Sequence, residues 1–289
     1  MNKLKDIIKN MLPDKIFLTL RFRKTFGRWI NWRNPVTYNE KLQWMKVYYR
    51  RKDLGTFVDK YEVKDFVAKT IGKDYIIPTL GVWDRPDDIQ FDLLPNQFVL
   101  KCTHDSGSII ICKDKSKFDQ DMAINSLKRS MSRDLFNEGR EYPYKLVKPR
   151  VIAEKYMEDT ADGELRDYKF FVFDGKATTI YIVTDRMRKD VDTCIDYYDM
   201  DFNHLDFRSG NYPNTTKKIE KPAKFDEMKK LAEQLGTGFP HVRVDFYQVD
   251  GKVYFGELTF FTSCGFLPFV PEEWDYKFGE MFPLPKPIR

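Results

Sequence analysis

Residues 241–260 constrain the fold more than any other segment, because apolar and polar residues alternate on both sides of an Asp250-Gly251 pair. This period of two is typical of a β-hairpin that buries one face. Strict alternation on the returning strand places Phe255 on the same face as Glu257. One register joins apolar residues to apolar residues, and its pairs are Val242 with Phe260 and Val244 with Leu258. The sequence therefore predicts an antiparallel hairpin with a register fixed by its buried face.

The polar face of this hairpin carries the strongest chemical signal in the chain. The same register sets Asp245 opposite Glu257 and Arg243 opposite Thr259. Directly opposed carboxylates destabilise a sheet, and a divalent cation between them, with Arg243 beside it, removes the repulsion. We therefore predict a metal site here; the alternative is a solvated carboxylate pair without a metal. The register also requires a three-residue loop at residues 250–252 in place of a two-residue turn.

Two further segments suit a nucleotide. Lys101 lies inside the apolar strand FVLKC, where an ammonium is costly unless an anion meets it, and a Ser-Gly-Ser turn at 106–108 follows with backbone N–H groups that can wrap a phosphate. The alternative is that Lys101 points to solvent from an edge strand. The segment 154–157 ends another apolar strand and can offer a backbone edge and a carboxylate to a purine ring; the alternative is a strand end with ordinary surface charges.

Composition limits the classes of function. The chain has 289 residues, with 49 Lys and Arg against 44 Asp and Glu, and no apolar stretch long enough to span a membrane. This mildly basic balance suits phosphate-bearing ligands but lacks the clustered charge that is typical of nucleic-acid binding. The four cysteines form no Cys-x-x-Cys pair and are predicted to be free thiols, and no zinc-binding spacing occurs.

The order of predicted elements is helices first, then an α+β mixture with antiparallel hairpins. Thr37 and Glu40 fit a capping box, a helix over residues 59–72 ends at Gly72, and a helix near residues 224–236 ends at Gly236. An Asp174-Gly175 pair predicts a second hairpin. The chain lacks the strand–helix alternation of a Rossmann domain and both common glycine-rich phosphate loops.

The N-terminal segment, residues 1–27, alternates basic and apolar residues at helical spacing and lacks a secretory signal. It predicts a surface helix that packs on the domain; the alternative is a helix that rests on an anionic membrane. We expect a cytoplasmic protein. The alternative is a cytoplasmic protein that also contacts the inner face of the membrane.

Taken in order along the chain, these segments resemble the ATP-grasp superfamily, which includes D-alanine–D-alanine ligase. The resemblance implies an α+β fold in which two lobes with antiparallel sheets clamp ATP, preceded by N-terminal helices. It implies the division 1–55 (helical segment), 56–150 (N-terminal lobe with the glycine loop) and 151–289 (C-terminal lobe with the metal site). The implied nucleotide-binding residues are Lys60, Lys101, His104, Ser106, Gly107, Ser108, Glu154, Lys155, Met157 and Lys169, with Glu164 or Glu158 at the ribose.

The resemblance also implies the metal ligands and the catalytic residues. An Arg-x-Asp … Glu-x-Asn signature resembles Arg243, Asp245, Glu257 and Thr259, where threonine replaces asparagine as the third ligand of one or two Mg²⁺ ions. Arg243 would stabilise the oxyanion, and Arg186 or Arg188 would contact the γ-phosphate or the acceptor carboxylate. The alternative for Arg186 and Arg188 is that they belong to a basic loop exposed to solvent.

Within the superfamily, segments such as TYNEKLQWMKVYYR, FVLKCTHDSGS and LRDYKFFVFDGK are similar to the TupA-like branch, which is associated with bacterial surface and capsular polysaccharide. That resemblance implies a ligase that joins an amine donor, such as an amino acid or amino alcohol, to a carboxylate-bearing sugar or glycan precursor through an acylphosphate. Two alternatives stay open: a kinase-like phosphotransferase that acts on a sugar or glycan hydroxyl, and a non-catalytic protein associated with a glycosyltransferase.

Overall fold

The computed structural model describes residues 11–158, 165–185 and 192–288. Helices come first, and two antiparallel sheets follow. The helices are α1 (Asp14–Phe26), α2 (Tyr38–Tyr48), α3 (Leu54–Val58), α4 (Val63–Thr70), α5 (Gln120–Met131), α6 (Leu135–Gly139), α7 (Phe225–Gly236) and α8 (Glu273–Met281). The strands are β1 (Thr79–Trp83), β2 (Phe98–Cys102), β3 (Ile110–Cys112), β4 (Val151–Lys155), β5 (Asp167–Phe173), β6 (Lys176–Thr184), β7 (Cys194–Asp199), β8 (His204–Leu205), β9 (Arg208–Ser209), β10 (His241–Val249), β11 (Lys252–Thr259) and β12 (Phe269–Val270).

The first sheet has four strands in the order β1-β4-β2-β3. Phe98, Leu100 and Cys102 alternate toward one face, where they pack with Leu127 of α5. Because side chains alternate along a strand, Lys101 lies on the opposite face. The predicted division of the chain at residue 150 stays a prediction, and β4, which starts at residue 151, belongs to this first sheet.

The second sheet has six strands in the order β11-β10-β5-β6-β7-β8. Its apolar face packs on α7, where Phe170 meets Phe225 with ring centroids 5.7 Å apart. The other face carries Lys169 on β5 and Arg243 and Asp245 on β10. This face is therefore polar near the β10–β11 pair, which positions the candidate site.

The N-terminal helices cover part of that polar face. Tyr38 of α2 shares a 3.0 Å hydrogen bond with His241 and contacts the Phe171 ring edge-on at 6.0 Å. The predicted capping box is confirmed, since Thr37 and Glu40 cap α2 reciprocally. The predicted packing of the N-terminal segment is confirmed for α1, which buries Phe17, Leu18 and Phe22. Residues 1–10 lie outside the described part of the chain.

The β10–β11 hairpin has the predicted register but not the predicted loop. Val244 pairs with Leu258 and Asp245 with Glu257, as expected, whereas the turn consists of two residues, Asp250 and Gly251, both with positive φ. A β-bulge after Asp245 absorbs the difference, because Gly256 is left without a partner in the ladder. The three-residue loop is therefore wrong, and so is the polar-face position of Phe255, which is buried in the core.

The remaining predictions of local structure have mixed outcomes. The Asp174-Gly175 hairpin is confirmed, and α7 ends at Gly236 as predicted. The helix predicted over residues 59–72 is shorter, because the chain forms α3, breaks near Asp59, and resumes as α4 before Gly72. All four cysteines are free, as predicted. In the described part of the chain, no helix has the length and apolar character that crossing a membrane requires.

Candidate functional site

One cluster of charged side chains lies on the polar face of β10 and β11. Arg243 donates from Nε to Asp245 Oδ1 (2.7 Å) and from Nη2 to Glu257 Oε1 (2.7 Å) and Thr259 Oγ1 (2.9 Å). The hydroxyl of Thr259 in turn donates to Glu257 Oε1 at 3.0 Å. The four residues predicted from the alternation are therefore brought together around one guanidinium.

Lys169 completes this cluster from the neighbouring strand. Its ammonium pairs with Asp245 and lies 3.2 Å from Asp167 Oδ1. Burial alone would lower the pKa of Lys169, but attraction to the two carboxylates outweighs burial and raises it above its ordinary value. The sequence predicts that the opposed carboxylates repel each other unless a metal lies between them. In the structure Arg243 and Lys169 pair with these carboxylates and offset part of their charge, and a metal between the two stays a prediction.

The two carboxyl groups differ in environment. Burial raises the pKa of Asp245, against the opposing effect of Arg243 and Lys169. The side chain of Glu257 is 40% exposed. Burial would also raise its pKa, but the positive charges of Arg243, Lys169 and Lys60 lower it to about 2. Glu257 is therefore an anion at neutral pH, held beside three cations.

The donor set of this cluster fits Mg²⁺. Asp245 and Glu257 are directly paired across the strands, and Thr259 adds a hydroxyl next to them. Mg²⁺ is usually held by one or two carboxylates together with substrate phosphates, so two carboxylates suffice. In residues 11–158, 165–185 and 192–288, no group of three or more His, Cys, Asp or Glu side chains is placed to hold a metal ion. Any site here would therefore be completed by oxygens from a ligand.

A second cluster forms at the loop between β2 and β3. Lys60 donates its ammonium proton to the carbonyl oxygen of Asp105. The Asp105 carboxylate accepts from Ser108 Oγ, which itself accepts from the backbone N–H of Cys102 at 2.8 Å. These bonds fix the base of the loop and leave Ser106 and Gly107 at its exposed tip, where Gly107 has a φ of +97°.

Arg133 and His104 adjoin the same loop. Arg133 donates to the carbonyl oxygen of Ser106 (3.1 Å) and lies 3.7 Å from Asp105 Oδ2. Both ring nitrogens of His104 are buried without a hydrogen-bond partner among the described residues. Burial lowers the pKa of His104, so its imidazole is neutral at neutral pH. The structure thus places His104 at the loop without assigning it a partner.

Lys101 meets an anion within the sheet. Glu154 binds two lysines, with Lys101 at 2.7 Å and Lys64 at 2.6 Å, one on each carboxylate oxygen. Strand β2 lies between β4 and β3, so Lys101 is not on an edge strand. The role of Glu154 at a purine stays a prediction, since both of its oxygens are occupied by lysines.

The segment after Glu154 borders a cleft. The cleft has a volume of about 310 Å³ and lies between Lys155–Glu158 and the turn of the β10–β11 hairpin. Its lining residues are Gln97, Lys155, Tyr156, Met157, Glu158, Val249, Asp250, Lys252 and Tyr254. The strand end that is predicted to meet a purine therefore borders a cavity of ligand size.

Three predicted residues, Glu164, Arg186 and Arg188, lie outside the described residues. Three others are not indicated as site residues by the sequence: Lys64, Asp105 and Arg133. In the helix predicted over residues 59–72, Lys64 follows Lys60 by four residues and would therefore lie on the same face. This spacing is the one sequence signal that could have indicated Lys64. Arg133 belongs to no pattern near the loop and reaches it only through the fold.

The two clusters are electrostatically coupled. Lys60 belongs to the loop cluster of the first sheet, yet its charge contributes to lowering the pKa of Glu257 on the second sheet. Coulomb interactions of this kind weaken with distance and screening, so the charge of Lys60 acts within range of Glu257. Lysines from one sheet and a carboxylate pair from the other form an arrangement suited to a metal–polyphosphate ligand.

Comparison with known proteins gives one family. A sequence-family model described as TupA-like ATPgrasp matches residues 40–283. Among curated proteins, none matches significantly. Solved structures with some likeness include the D-alanine–D-alanine ligase of Bacillus anthracis complexed with ATP, the ATP-grasp ligase PsnB complexed with minimal precursor, Mg and ADP, and the D-cycloserine synthetase DcsG.

These structural likenesses are distant. The Bacillus anthracis ligase has 18% identity, covers 71% of this chain and has a TM-score of 0.42. PsnB has 11% identity, covers 76% of this chain and has a TM-score of 0.41. DcsG has 17% identity, covers 71% of this chain and has a TM-score of 0.40. This chain in turn covers 55%, 57% and 62% of those three chains. It thus spans less than two thirds of the length of each of these three chains.

Proposed function

The chain belongs to the TupA-like ATP-grasp family, and from this premise we propose that it binds Mg-ATP between its two sheets and joins a carboxylate to an amine. The observation that carries the proposal is the presence of two charged clusters, one on each sheet. Lys60, Lys64 and Lys101 supply cations from one side, and Asp245 and Glu257 supply metal ligands from the other. Such an arrangement matches the alternating charges of a magnesium–triphosphate.

The proposed reaction has two steps. An oxygen of the acceptor carboxylate forms a bond to the γ-phosphorus while the bond between the γ-phosphorus and the β,γ-bridging oxygen breaks, and ADP leaves. The amine then attacks the carbonyl carbon of the acylphosphate, loses a proton, and expels inorganic phosphate. Mg²⁺, held by Asp245 and Glu257, would supply positive charge to the phosphate oxygens.

The residues of this chain contribute position and charge. Lys60 and Lys101 would hold the phosphates in line, and the exposed N–H groups of Ser106 and Gly107 would contact them. Arg243 would stabilise the oxyanion that forms when the amine attacks, since its guanidinium is fixed by Asp245 and Glu257 before substrate arrives. The cleft beside Lys155–Glu158 would take the base of the nucleotide.

We propose substrates from bacterial surface polysaccharide synthesis, as the resemblance to the TupA-like branch implies. The acceptor would be a carboxylate-bearing sugar or glycan precursor, and the donor an amino acid or amino alcohol. The reaction uses ATP, so we propose a cytoplasmic site of action.

Nucleotide binding is tested first, by calorimetric titration of Mg-ATP into wild-type protein and Lys101→Ala. We expect the variant to bind at least about tenfold more weakly, because one charge-assisted phosphate contact contributes about 1.5–3 kcal/mol. Lys176→Ala is the matched control, since Lys176 is an exposed lysine at the start of a strand. Absence of binding by the intact protein, or equal binding by Lys101→Ala, would contradict the site.

The reaction type is tested by product analysis with glycan carboxylates and amines from the organism's surface polymers. A ligase releases ADP and phosphate in equal amounts only when both carboxylate and amine are present. A phosphotransferase instead leaves the phosphate on a single acceptor, and that result would overturn ligation while retaining the nucleotide site. Glu257→Gln should abolish either turnover, since it removes a metal ligand.

A further inference from the structure

The outer face of helix α1 presents large apolar side chains to solvent. Phe17, Leu18 and Phe22 hold the helix to the molecule. On the opposite side, Ile16 is 49% exposed and Leu20 is 52% exposed. The two are four residues apart, so they lie one above the other on a single face.

Two more exposed apolar side chains flank α1 in the sequence. Met11 precedes the helix and is 79% exposed, and Trp29 follows it and is 60% exposed. We call Met11, Ile16, Leu20 and Trp29 the α1 patch. Scattered exposed apolar residues need no explanation, but four within 19 consecutive residues form a concentration that marks an interaction surface.

The side chains around the α1 patch are basic. Residues 11–33 contain six Lys and Arg and one acidic residue, Asp14, which is already paired with Arg50 at 2.7 Å. Arg28 is paired with the buried Glu40 at 2.8 Å and with the exposed Glu272 at 3.3 Å. Of the exposed cations that remain, Lys15 donates to the Tyr48 hydroxyl at 3.0 Å, whereas Arg23, Lys24 and Arg33 have no ion pair among the described residues. Arg23 and Lys24 share the helical face of Ile16 and Leu20.

We propose that the α1 patch rests on an anionic lipid bilayer, with α1 parallel to the surface. Apolar side chains enter the boundary between headgroups and acyl chains, while Lys and Arg extend to the headgroups. Tryptophan is suited to that boundary because its ring is both apolar and polar, and the Arg23 guanidinium lies 5.4 Å from the Trp29 ring. Each cation near an anionic surface adds about 1 kcal/mol, so three such cations make the association lipid-specific.

A second copy of the chain fits this surface less well. In a twofold dimer the same patch occurs on both subunits, so Arg23 and Lys24 would meet their own equivalents across the interface. The one acidic residue within residues 11–33, Asp14, is already paired with Arg50 and does not offset that repulsion. A bilayer with anionic headgroups supplies both the hydrocarbon and the negative charge, which is the complement that the patch requires.

The test measures co-sedimentation of the full chain with phosphatidylcholine vesicles and with vesicles that contain phosphatidylglycerol. Two triple variants alter the surface: Ile16→Gln with Leu20→Gln and Trp29→Gln, and Arg23→Gln with Lys24→Gln and Arg33→Gln. Matched controls remove equally exposed groups elsewhere: Leu93→Gln with Met122→Gln, and Lys117→Gln with Lys218→Gln.

We expect wild type and both controls to bind the anionic vesicles and to bind phosphatidylcholine at least about tenfold more weakly. Both patch variants should lose at least about tenfold in affinity for the anionic vesicles. Failure of the wild type to bind, or equal binding by patch and control variants, overturns the proposal. Light scattering that shows a dimer lost in the apolar triple variant would assign the patch to a second copy and also overturn it.

A second measurement does not depend on the triple variants folding. Brominated lipid should quench part of the tryptophan fluorescence of the wild type, and Trp29→Phe should remove that quenched part. If Trp29→Phe is quenched to the same extent as wild type, the membrane contact lies elsewhere and the assignment to α1 fails.

Discussion

Arg243 binds two carboxylates at once, because its guanidinium donates to both oxygens of Asp245 and to Glu257. Burial would lower the pKa of an arginine, but here attraction to Asp245 prevails and raises it. Since an unpaired buried charge is far costlier than a paired one, the arginine and its carboxylates depend on one another. Substitution at any one of them therefore changes the charge balance of the whole cluster.

The substitution Glu257→Gln should lower the melting temperature of the ligand-free protein at neutral pH. The pKa of Glu257 is depressed to about 2, so its ionised form stabilises the fold. That contribution is fully present above the ordinary pKa of about 4.5 and is lost as pH falls toward about 2. Because the side chain is 40% exposed, solvent screening limits the loss to about 1 kcal/mol, or roughly 2–4 °C.

Thermal melts of wild type and Glu257→Gln between neutral and acid pH would measure this difference. It should shrink as the pH falls through the window, whereas Glu273→Gln, at an exposed carboxylate of α8, should cost little at any pH. An unchanged or raised melting temperature in Glu257→Gln would mean that repulsion between the carboxylates outweighs their attraction to Arg243.

Lys46 is a second buried charge, and it joins three chain segments. Its ammonium donates to the carbonyl oxygens of Gly139 (2.8 Å) and Cys264 (2.7 Å) and to Gln43 Oε1 (3.0 Å). Cys264 follows Ser263, and both have positive φ, so the loop after β11 adopts a left-handed conformation. Lys46 therefore fastens this strained loop to α2.

The substitution Lys46→Met should destabilise the protein by about 3 kcal/mol at neutral pH, because two buried carbonyl oxygens lose their donor. Burial lowers the pKa of Lys46 to about 8, despite the opposing charge of Glu141. A lowered lysine pKa means that the folded state releases the proton first. Between about pH 8 and its ordinary value of 10.5, wild type should therefore gain stability relative to Lys46→Met.

Urea unfolding at neutral pH and above about pH 9 would test both the size and the direction of this effect. The control is Lys230→Met, which alters an exposed lysine of α7. A cost for Lys46→Met that is no larger than that of Lys230→Met, or a gap that narrows at high pH, would contradict the assignment.

At the scale of elements, Gly256 decides which face Glu257 occupies. A two-residue turn pairs Val249 with Lys252, and a regular ladder from that turn would point Glu257 into the core. The bulge at Gly256 shifts the pattern by one residue, so Phe255 stays buried while Glu257 meets Asp245. A Cβ at position 256 would lie 3.1 Å from the carbonyl oxygen of Asp245, which explains why glycine stands there.

Deletion of Gly256 should therefore be tolerated, with a cost of about 1–2 kcal/mol. Without the extra residue the ladder becomes regular, and Asp245 still pairs with Glu257 and Phe246 with Phe255. Deletion of Gly251 is the matched control. It would shift the register near the turn and bring Val253 and Phe255 to the polar face, at about 1.5–3 kcal/mol for each apolar side chain. Thermal melts in which the two deletions cost the same would contradict the bulge.

The sequence predicts this hairpin only in part, for a physical reason. Apolar alternation determines the register where both faces are distinct, as at Val244 and Leu258, and the capping box at Thr37 depends on local hydrogen bonds alone. A bulge, by contrast, adds one residue to a strand and so moves every later side chain to the other face. Nothing in the composition marks the extra residue, so the alternation of apolar and polar residues cannot reveal the bulge. Lys64 and Arg133 reach their partners through the tertiary fold, which no pattern of neighbouring residues specifies.

At the scale of the whole molecule, the first sheet carries a lysine cluster and the second sheet carries a cluster with paired carboxylates. Lys60 stands at the first sheet's loop and still lowers the pKa of Glu257 on the second. A ligand with alternating negative charge and metal would connect both sheets at once. Binding should therefore reduce local opening in both places, not only at the residues that it touches.

Amide hydrogen exchange tests this expectation at the loop between β2 and β3. The tip should exchange fast without nucleotide, because Ser106 is exposed and a Cβ at Gly107 would have no neighbour within 4 Å among the described residues. The N–H of Cys102 should be protected, because it donates to Ser108 Oγ at 2.8 Å. Mg-ATP should slow exchange at residues 106–108 and at Glu257, and leave the Asp174-Gly175 turn unchanged.

The same experiment with Lys101→Ala separates a nucleotide effect from a general one. Lys101 lies on the strand that leads into the loop, so its loss should weaken the response at both sheets together. Protection that appears at the loop but not at Glu257 would mean that the ligand contacts one sheet only, and equal exchange with and without Mg-ATP would exclude the loop from the site. Slower exchange at both sheets, lost in Lys101→Ala and retained in Lys176→Ala, is the result that a nucleotide held between them requires.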